Sequence, residues 1–304
     1  MRPARSRTPP SSNDSKTFID RAAFLARKAT FLMRYLRLTP QALLGTLWEN
    51  RLLTRALVAR EVLGRYRGSV LGVLWSLFNP ILMLTVYTFV FSVVFKARWN
   101  AGSDSRTEYA LALFVGLIAF NLVAECVNRS PGLILANANY VKKVIFPLEI
   151  LPVVTLGAAL FHALASLAVW LLFLLVAVGP PHWTALWLPF VLLPLALFVL
   201  GISWMLASVG VYLRDVGHVV GLFTTALMFL SPIFYPASAL PDSLRTLFQL
   251  NPLTPSIEML RDVLMWGRNP SLLLLAGETA VGATVAWAGF AWFQKTRKGF
   301  ADVL

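Results

Sequence analysis

Two long apolar stretches, residues 70–95 and 151–178, constrain the fold of this chain more than any other feature of its sequence. Neither contains an acidic residue, a lysine or an arginine, and each exceeds the roughly 20 apolar residues that cross the hydrocarbon core of a bilayer. The composition agrees, because 58% of the 304 residues are hydrophobic and only 13% are charged, which is about half the charged share of soluble domains. The sequence therefore predicts an all-α polytopic membrane protein and excludes an ordinary soluble enzyme.

Six stretches are apolar and long enough to be membrane spans, and they predict a six-span transmembrane domain over residues 70–293. Their predicted bounds are 70–95, 109–128, 150–178, 185–212, 217–236 and 271–293. With the N-terminus inside, 21 of the 27 lysine and arginine residues fall in cytoplasmic segments. Cytoplasmic loops are enriched in these residues, so we expect both termini in the cytoplasm. The same enrichment explains the net charge of +13 without nucleic-acid binding.

Polar and amphipathic segments flank the predicted spans. Residues 1–17 are rich in Arg, Pro and Ser, which predicts a disordered basic tail. Residues 18–69 predict an amphipathic helix that ends at Pro40, followed over 41–67 by an interfacial helix of the headgroup layer. A solvated helix on a cytoplasmic domain is the alternative for this second segment. Residues 294–304 predict a cytoplasmic C-terminal tail.

Prolines recur among apolar residues between spans five and six, over residues 231–270. This pattern favours broken helices, and non-helical backbone at membrane depth is tolerated only where it is buried in protein or faces water. We therefore expect short re-entrant helices on the outer face of the membrane. A plain amphipathic extracellular loop is the alternative.

Few residues in the predicted spans could carry chemistry. Glu125, His162, His218 and Glu278 are ionisable groups at or near membrane depth and are candidates for function on that ground. We expect Glu125 and Glu278 to meet headgroups or water near span ends, and His162 to hydrogen-bond across helices. The single cysteine disfavours a disulfide or a thiolate metal site, and we predict no metal site.

The chain contains no GxxxxGK[ST] phosphate-binding loop. It is therefore predicted not to be an enzyme and to bind no cofactor, so that in an ATP-driven system ATP and Mg would bind a separate subunit. The best contact for such a subunit is the segment between spans two and three. Its candidate coupling residues are Asn137, Asn139, Tyr140, Lys142, Lys143 and Phe146. An ordinary positively charged cytoplasmic loop would explain the two lysines equally well.

Aromatic residues concentrate near the outer ends of spans one and five. Aromatic faces stack on the apolar faces of sugar rings, so they could line a translocation path for a glycan. The candidate path residues are Tyr87, Phe91, Phe229, Phe234 and Tyr235. A membrane-interface belt or simple packing is the alternative for each of them.

Three sequence blocks resemble the permease subunit of a type-2 ABC exporter, in the family that exports O-antigen, capsular polysaccharide or teichoic acid. They are residues 65–80, residues 141–152, and the combination of 212–215, 230–236 and 251–255. The resemblance covers residues 60–300 and implies a protein of the bacterial inner membrane.

This resemblance also implies partners and sites. The partners would be a second copy of the chain, forming a homodimer, two copies of a cytoplasmic ABC ATPase subunit, membrane lipid, and a polyprenyl-linked glycan that passes between the permeases. The family's interfacial helix maps to residues 41–67, its coupling helix to Asn137 through Phe146, and its gate helices to residues 238–262.

Arg65 and Arg67 fall where the headgroup layer is expected, and could attract the pyrophosphate of a polyprenyl carrier. Ordinary anchoring to anionic lipids is the alternative. Two other functions remain open from the residues alone. A membrane-embedded polyprenyl-phosphate glycosyltransferase is disfavoured because the acidic residues are scattered, and an ion-coupled secondary transporter because paired intramembrane charges and an inverted repeat are missing.

Overall fold

The computed structural model describes residues 39–94, 99, 106–141, 146–236, 248 and 251–304. The predicted basic tail 1–17 and the helix from residue 18 to Pro40 lie outside the described residues, except for the last two positions of that range. The described chain is folded into helices. In chain order they are α1 (Pro40–Glu49), α2 (Arg51–Arg65), α3 (Trp75–Tyr87), α4 (Arg106–Arg129), α5 (Leu133–Ala136), α6 (Ala138–Val141), α7 (Ile150–Ala177), α8 (Leu188–Tyr212), α9 (Val216–Phe229), α10 (Leu253–Leu264), α11 (Leu272–Thr296) and α12 (Phe300–Val303).

Five helical segments among the described residues are long and apolar enough to cross a membrane. They are Gly72–Phe91, Thr107–Arg129, Ile150–Ala177, Trp183–Tyr212 and Leu272–Val303. The first combines α3 with a 3-10 turn before it and the start of a π-helical turn after it, and the fourth adds a 3-10 turn to α8. These five agree closely with five of the predicted spans, which confirms a polytopic all-α membrane protein.

The fifth predicted span, residues 217–236, is shorter than expected. Helix α9 has 14 residues and ends at Phe229, which gives a length of about 21 Å at 1.5 Å per residue, against a hydrocarbon core of about 30 Å. The helix ends there because Pro232 cannot continue it: proline has no N–H to donate and its ring clashes with the preceding turn. The predicted cytoplasmic C-terminal tail 294–304 is helical through Val303.

Helix α4 lies at the centre of the described bundle. Its residues Leu111, Ala112 and Ala119 are fully buried, and α7, α8, α9 and α10 all pack against it. Helices α8 and α11 pack most closely of all, because glycines face each other at their crossing. A Cβ atom on Gly289 would overlap the carbonyl of Gly201, which is the small-residue contact typical of membrane helices.

Helix α2 leads into the first span through a bend rather than as one continuous helix. Gly68 and Gly72 adopt positive φ angles of 85° and 52°, which glycine reaches without the steric penalty of a Cβ atom. Helix α2 itself lies against α7, where Val58 occupies the space left by Gly157. The bend therefore places the end of α2, including Arg65, beside the bundle.

Candidate functional site

A cavity of about 720 Å³ lies between the end of α2 and helices α3, α4, α7 and α9. We call it the large cavity. Its polar end is lined by Arg65, Glu125, Arg129 and His162, and its other end by apolar residues that include Phe114 and Met228. Phe114 and Glu125 are about 16 Å apart along α4. The large cavity therefore extends along much of a span, from charged to apolar surroundings.

Glu125 is the centre of the charged end. Its side chain is 14% exposed, and Arg65 Nη1 donates to its Oε1 at 2.7 Å. His162 Nδ1 lies 2.9 Å from Oε2 and 3.0 Å from Arg65 Nη1. That nitrogen can donate to the carboxylate or accept from the guanidinium, but not both at once.

This geometry confirms the prediction for His162, which bonds from α7 to α4. Glu125 lies in a charge cluster and lines the large cavity, with 14% of its side chain exposed. An intramembrane carboxylate is stable only with such partners. Its partners Arg65 and His162 are 60 and 37 residues away in the sequence, so no local pattern predicts them.

A second cavity of about 280 Å³, the small cavity, adjoins the charged end. It is lined by Arg60, Glu61, Gly64, Arg65 and Arg129, so Arg65 and Arg129 line both cavities. Arg129 forms an ion pair with Glu61, and its Nη1 is 3.6 Å from Glu125 Oε1. Arg60 and Arg129 thus line the same small cavity as Arg65, which was predicted as a headgroup residue.

Arg67, the other predicted headgroup residue, lies away from the two cavities. It follows the C-terminal end of α2, its side chain is exposed, and it is not among the described residues that line the large or the small cavity.

Four of the five predicted path residues form one cluster of rings, which we call the aromatic cluster: Tyr87, Phe91, Phe229 and Phe234. Neighbouring ring centroids in it are 5.3 to 6.4 Å apart, within the range of favourable aromatic contacts. Tyr87 also lines the large cavity. Tyr235 is held next to the cluster, since its hydroxyl donates to the Phe229 carbonyl at 2.8 Å.

A buried arginine that sequence reasoning missed organises the chain beside the aromatic cluster. Arg261 of α10 is 1% exposed and donates to the carbonyls of Ala112 at 2.9 Å, Pro232 at 2.6 Å and Ile233 at 3.1 Å. Its guanidinium carbon lies 4.2 Å from the centroid of the Trp99 ring. Arg261 is one of the six lysine and arginine residues outside the predicted cytoplasmic segments, where an exposed side chain is expected, whereas the structure buries it.

Burial lowers the pKa of Arg261 to about 10, and the nearby carboxylate of Glu258 opposes this shift. The guanidinium therefore remains charged at neutral pH. A sequence signal for its burial exists, because Ile257 and Leu264 lie four residues before and three residues after Arg261, on the same helix face.

The proline-rich region between the fifth predicted span and the last span contains α10 as a well-formed helix. Residues 238–247, 249 and 250 of the implied gate helices lie outside the described residues. Asn251 Nδ2 donates to the Leu230 carbonyl at 3.1 Å and to Ser231 Oγ at 2.9 Å. These bonds join the two proline-containing blocks that carried the family resemblance.

The predicted coupling segment is only partly described. Tyr140 and Phe146 stack with ring centroids 4.2 Å apart and an interplanar angle of 11°. Arg60 Nη1 donates to the Tyr140 hydroxyl at 3.0 Å. Asn137 Nδ2 donates to the Leu133 carbonyl at 2.9 Å, and Asn139 is exposed. Lys142 and Lys143 lie outside the described residues.

An ion pair that the sequence analysis also missed lies just beyond the coupling segment. Glu149 is buried to 0% exposure, and Arg297 Nη1 donates to its Oε2 at 2.8 Å. Burial raises the pKa of the Glu149 carboxyl, and the charge of Arg297 partly opposes that shift. Trp204 Nε1 donates to the Glu149 carbonyl at 2.9 Å. These contacts connect the start of α7 to α8 and to the end of the last span.

The fold and the two cavities define a polytopic helical membrane protein with a charged-to-apolar cavity between its spans. Among the residues that the structure describes, no group of three or more His, Cys, Asp or Glu side chains could hold a metal ion. Residues 53–265 match the ABC-2 type transporter family, and the chain belongs to that family.

Relatives of known role match most of this chain and most of their own length. It is 31% identical to the O-antigen export system permease protein RfbA of Myxococcus xanthus over 263 residues, which cover 86% of this chain and 98% of that protein. It is 28% identical over 242 residues to a protein of the same name from Klebsiella pneumoniae, covering 79% and 90% of the two chains. It is 26% identical over 225 residues to the polysialic acid transport protein KpsM of Escherichia coli, covering 72% and 83%.

Proposed function

We propose that this chain is the membrane permease of an ATP-driven ABC transporter that exports a lipid-linked polysaccharide, such as O-antigen or capsule, across the bacterial inner membrane. The observation that carries the proposal is its similarity to an O-antigen export permease over 86% of its length. ATP is hydrolysed by a separate partner subunit in this proposal. The glycosyltransferase and secondary-transporter alternatives receive no support from the family match.

The working unit would be a homodimer of six-span subunits with two copies of the ATPase and both termini in the cytoplasm. Helix α9 would complete the sixth crossing together with the segment that follows it. Helices α1 and α2 would lie in the headgroup layer, because they expose Leu44, Trp48 and Leu52. Helix α2 adds arginines such as Arg51 and Arg55 to these exposed apolar side chains, and this combination favours a lipid interface.

The ATPase would contact the segment from Asn137 to Phe146. Tyr140 and Phe146 give this segment a rigid stacked pair, and the bond from Arg60 connects it to α2. Asn137, Asn139, Lys142 and Lys143 would supply further contacts. ATP binding would close the two motor subunits, move this segment and tilt span one against span five, and hydrolysis would reset the arrangement.

The lipid-linked head would enter at the charged end of the large cavity, beside Arg65, and the glycan would pass along the aromatic cluster and Tyr235. Arg67, which lines neither cavity, would anchor the end of α2 to anionic lipid. Tyr87 supports this order because it belongs to both the cavity lining and the aromatic cluster. Aromatic faces allow sugars to slide without tight binding, so one path would serve a long polymer.

Depletion of the protein in its host tests this function. We expect full-length lipid-linked polymer to accumulate on the cytoplasmic side of the inner membrane and to disappear from the cell surface. If polymer is never made, the chain acts in synthesis and the glycosyltransferase alternative replaces the exporter. If export stops with an uncoupler but continues after ATP depletion, ion-coupled transport replaces it.

A further inference from the structure

We propose that Arg60, Arg65 and Arg129, here called the arginine cluster, form a binding site for a phosphate ester at the mouth of the large cavity. The intended ligand is the diphosphate of the lipid carrier, so the inference deepens the proposed function and rests on it. In this proposal Arg129 and Arg60 complete the site around Arg65, and Arg67 is not part of it.

The arginine cluster draws on two separate elements. Arg60 and Arg65 come from α2 and Arg129 from the end of α4, and all three line the small cavity. A guanidinium presents a planar fork of donors that matches phosphate oxygens, and its hydrogen bonds to an anion are stronger than bonds between neutral groups. Three such groups around one cavity of about 280 Å³ are a suitable setting for a phosphate.

The charges of the cluster leave an excess for an incoming anion. Arg129 pairs with Glu61 and Arg65 pairs with Glu125. Arg60 donates to the hydroxyl of Tyr140, which is a neutral acceptor. These five charged groups therefore carry one net positive charge, and a diphosphate would take it while the two carboxylates hold the guanidinium groups in position.

The location suits a ligand with a membrane-bound tail. Arg65 and Arg129 also line the large cavity, so a phosphate between them would lie where the charged end opens. Beyond it the cavity wall offers neutral polar side chains, among them Asn121, Asn128 and Ser166, which can hydrogen-bond the hydroxyls of the first sugar.

Arg67 provides a matched control. It has the same charge, lies two residues beyond Arg65 and is exposed, but it lines neither of the two cavities. General attraction of anionic lipid to a basic helix would weaken by a similar amount when any of these arginines is lost. A built site would depend on Arg65 and Arg129 far more than on Arg67.

The experiment measures binding of a labelled polyprenyl diphosphate to the full-length complex with its ATPase, reconstituted in nanodiscs of a neutral phospholipid. We expect Arg65→Gln and Arg129→Gln each to weaken binding about tenfold or more, since each removes a charge-assisted hydrogen bond. Arg67→Gln should change it less than twofold. Equal losses for Arg67→Gln and Arg129→Gln would overturn the site.

Two double variants separate loss of the binding site from misfolding of the protein. Arg129→Gln with Glu61→Gln, and Arg65→Gln with Glu125→Gln, each remove a cation together with its carboxylate partner. They leave the net charge of the cluster unchanged and strand no buried charge. Both should remain monodisperse and still lose binding, whereas full binding by both variants would refute the proposal.

Two further arms identify the source of the phosphate. Excess phosphatidylglycerol should not displace the diphosphate, and polyprenol without phosphate should bind at least tenfold more weakly. Displacement by phosphatidylglycerol would overturn the assignment to the lipid carrier and indicate an ordinary lipid site. If the diphosphate binds as expected while the depleted host still exports polymer, the proposed function fails and the site stands.

Discussion

Removal of the guanidinium of Arg261 should destabilise the chain beside the aromatic cluster more than any other single change on that side of the bundle. Arg261 is 1% exposed and supplies donors to the carbonyls of Pro232 and Ile233. Loss of a buried donor leaves each of these two carbonyls unpaired at about 1–3 kcal/mol. Loss of the cation–π contact with Trp99 adds about 1 kcal/mol.

These contributions sum to about 3–7 kcal/mol for Arg261→Met. For a chain of this size we expect the melting temperature of the purified protein to fall by about 5–11 °C. Arg261→Lys should fall between this variant and the wild type, because an ammonium keeps the charge but cannot reach three carbonyls with one planar fork.

The matched control is Arg268→Gln. Arg268 lies seven residues further on, is 74% exposed and has Asp262 3.7 Å away, a surface ion pair of about 0–1 kcal/mol. The assay is thermal unfolding followed by tryptophan fluorescence, with surface polysaccharide measured in parallel. If Arg261→Met melts within about 3 °C of the wild type, the carbonyl bonds do not hold this region together and the reasoning is wrong.

Three further changes test the packing and the coupling segment. Arg297→Gln should lower stability by about 3–5 kcal/mol, because it leaves Glu149 buried without its cation. Burial raises the pKa of the Glu149 carboxyl, so the folded protein favours the protonated form. The loss of stability, measured by thermal unfolding, should therefore grow as the pH rises above about 4.3. Gly289→Ala should cost about 1–3 kcal/mol or more through overlap with the facing helix, whereas Gly277→Ala, with nothing within 4 Å of its Cβ, should melt like the wild type. Tyr140→Ala should reduce co-purification of the ATPase at least tenfold, while Tyr140→Phe, which keeps the stacked ring, should retain most of it; equal losses of co-purification would show that stacking is irrelevant.

Hydropathy alone was sufficient to predict the long helices, because the length of an apolar run is a local property. The predicted span 150–178 and the observed helix Ile150–Ala177 differ by one residue at one end. Hydropathy was insufficient for the fifth predicted span, because the apolar run continues to residue 236 whereas the helix ends at Phe229. There a single local factor, the missing donor of Pro232, outweighs continued hydrophobicity.

The candidate site was predictable only in its residue types. The clustering of aromatic residues and the choice of Arg65 as a candidate residue follow from composition near the expected membrane interfaces. The partners do not, because Arg129 meets Glu61 across 68 residues and Arg297 meets Glu149 across 148 residues of sequence. Such pairs depend on which helices are neighbours, and hydropathy does not specify helix neighbours.

Helix α2 provides a physical connection between the segment that would contact the ATPase and the entrance of the large cavity. Arg60 bonds to Tyr140 on one side, and Arg65 bonds to Glu125 on the other. The two arginines are five residues apart on one helix, about 7.5 Å along its axis, so they move together if the helix moves as a rigid body. A shift of the coupling segment would therefore pull on the ion pair at the cavity mouth, and the bend at Gly68 and Gly72 would let α2 move without carrying the first span by the same amount. A substitution that stiffens the bend should therefore impair export while the ATPase still binds.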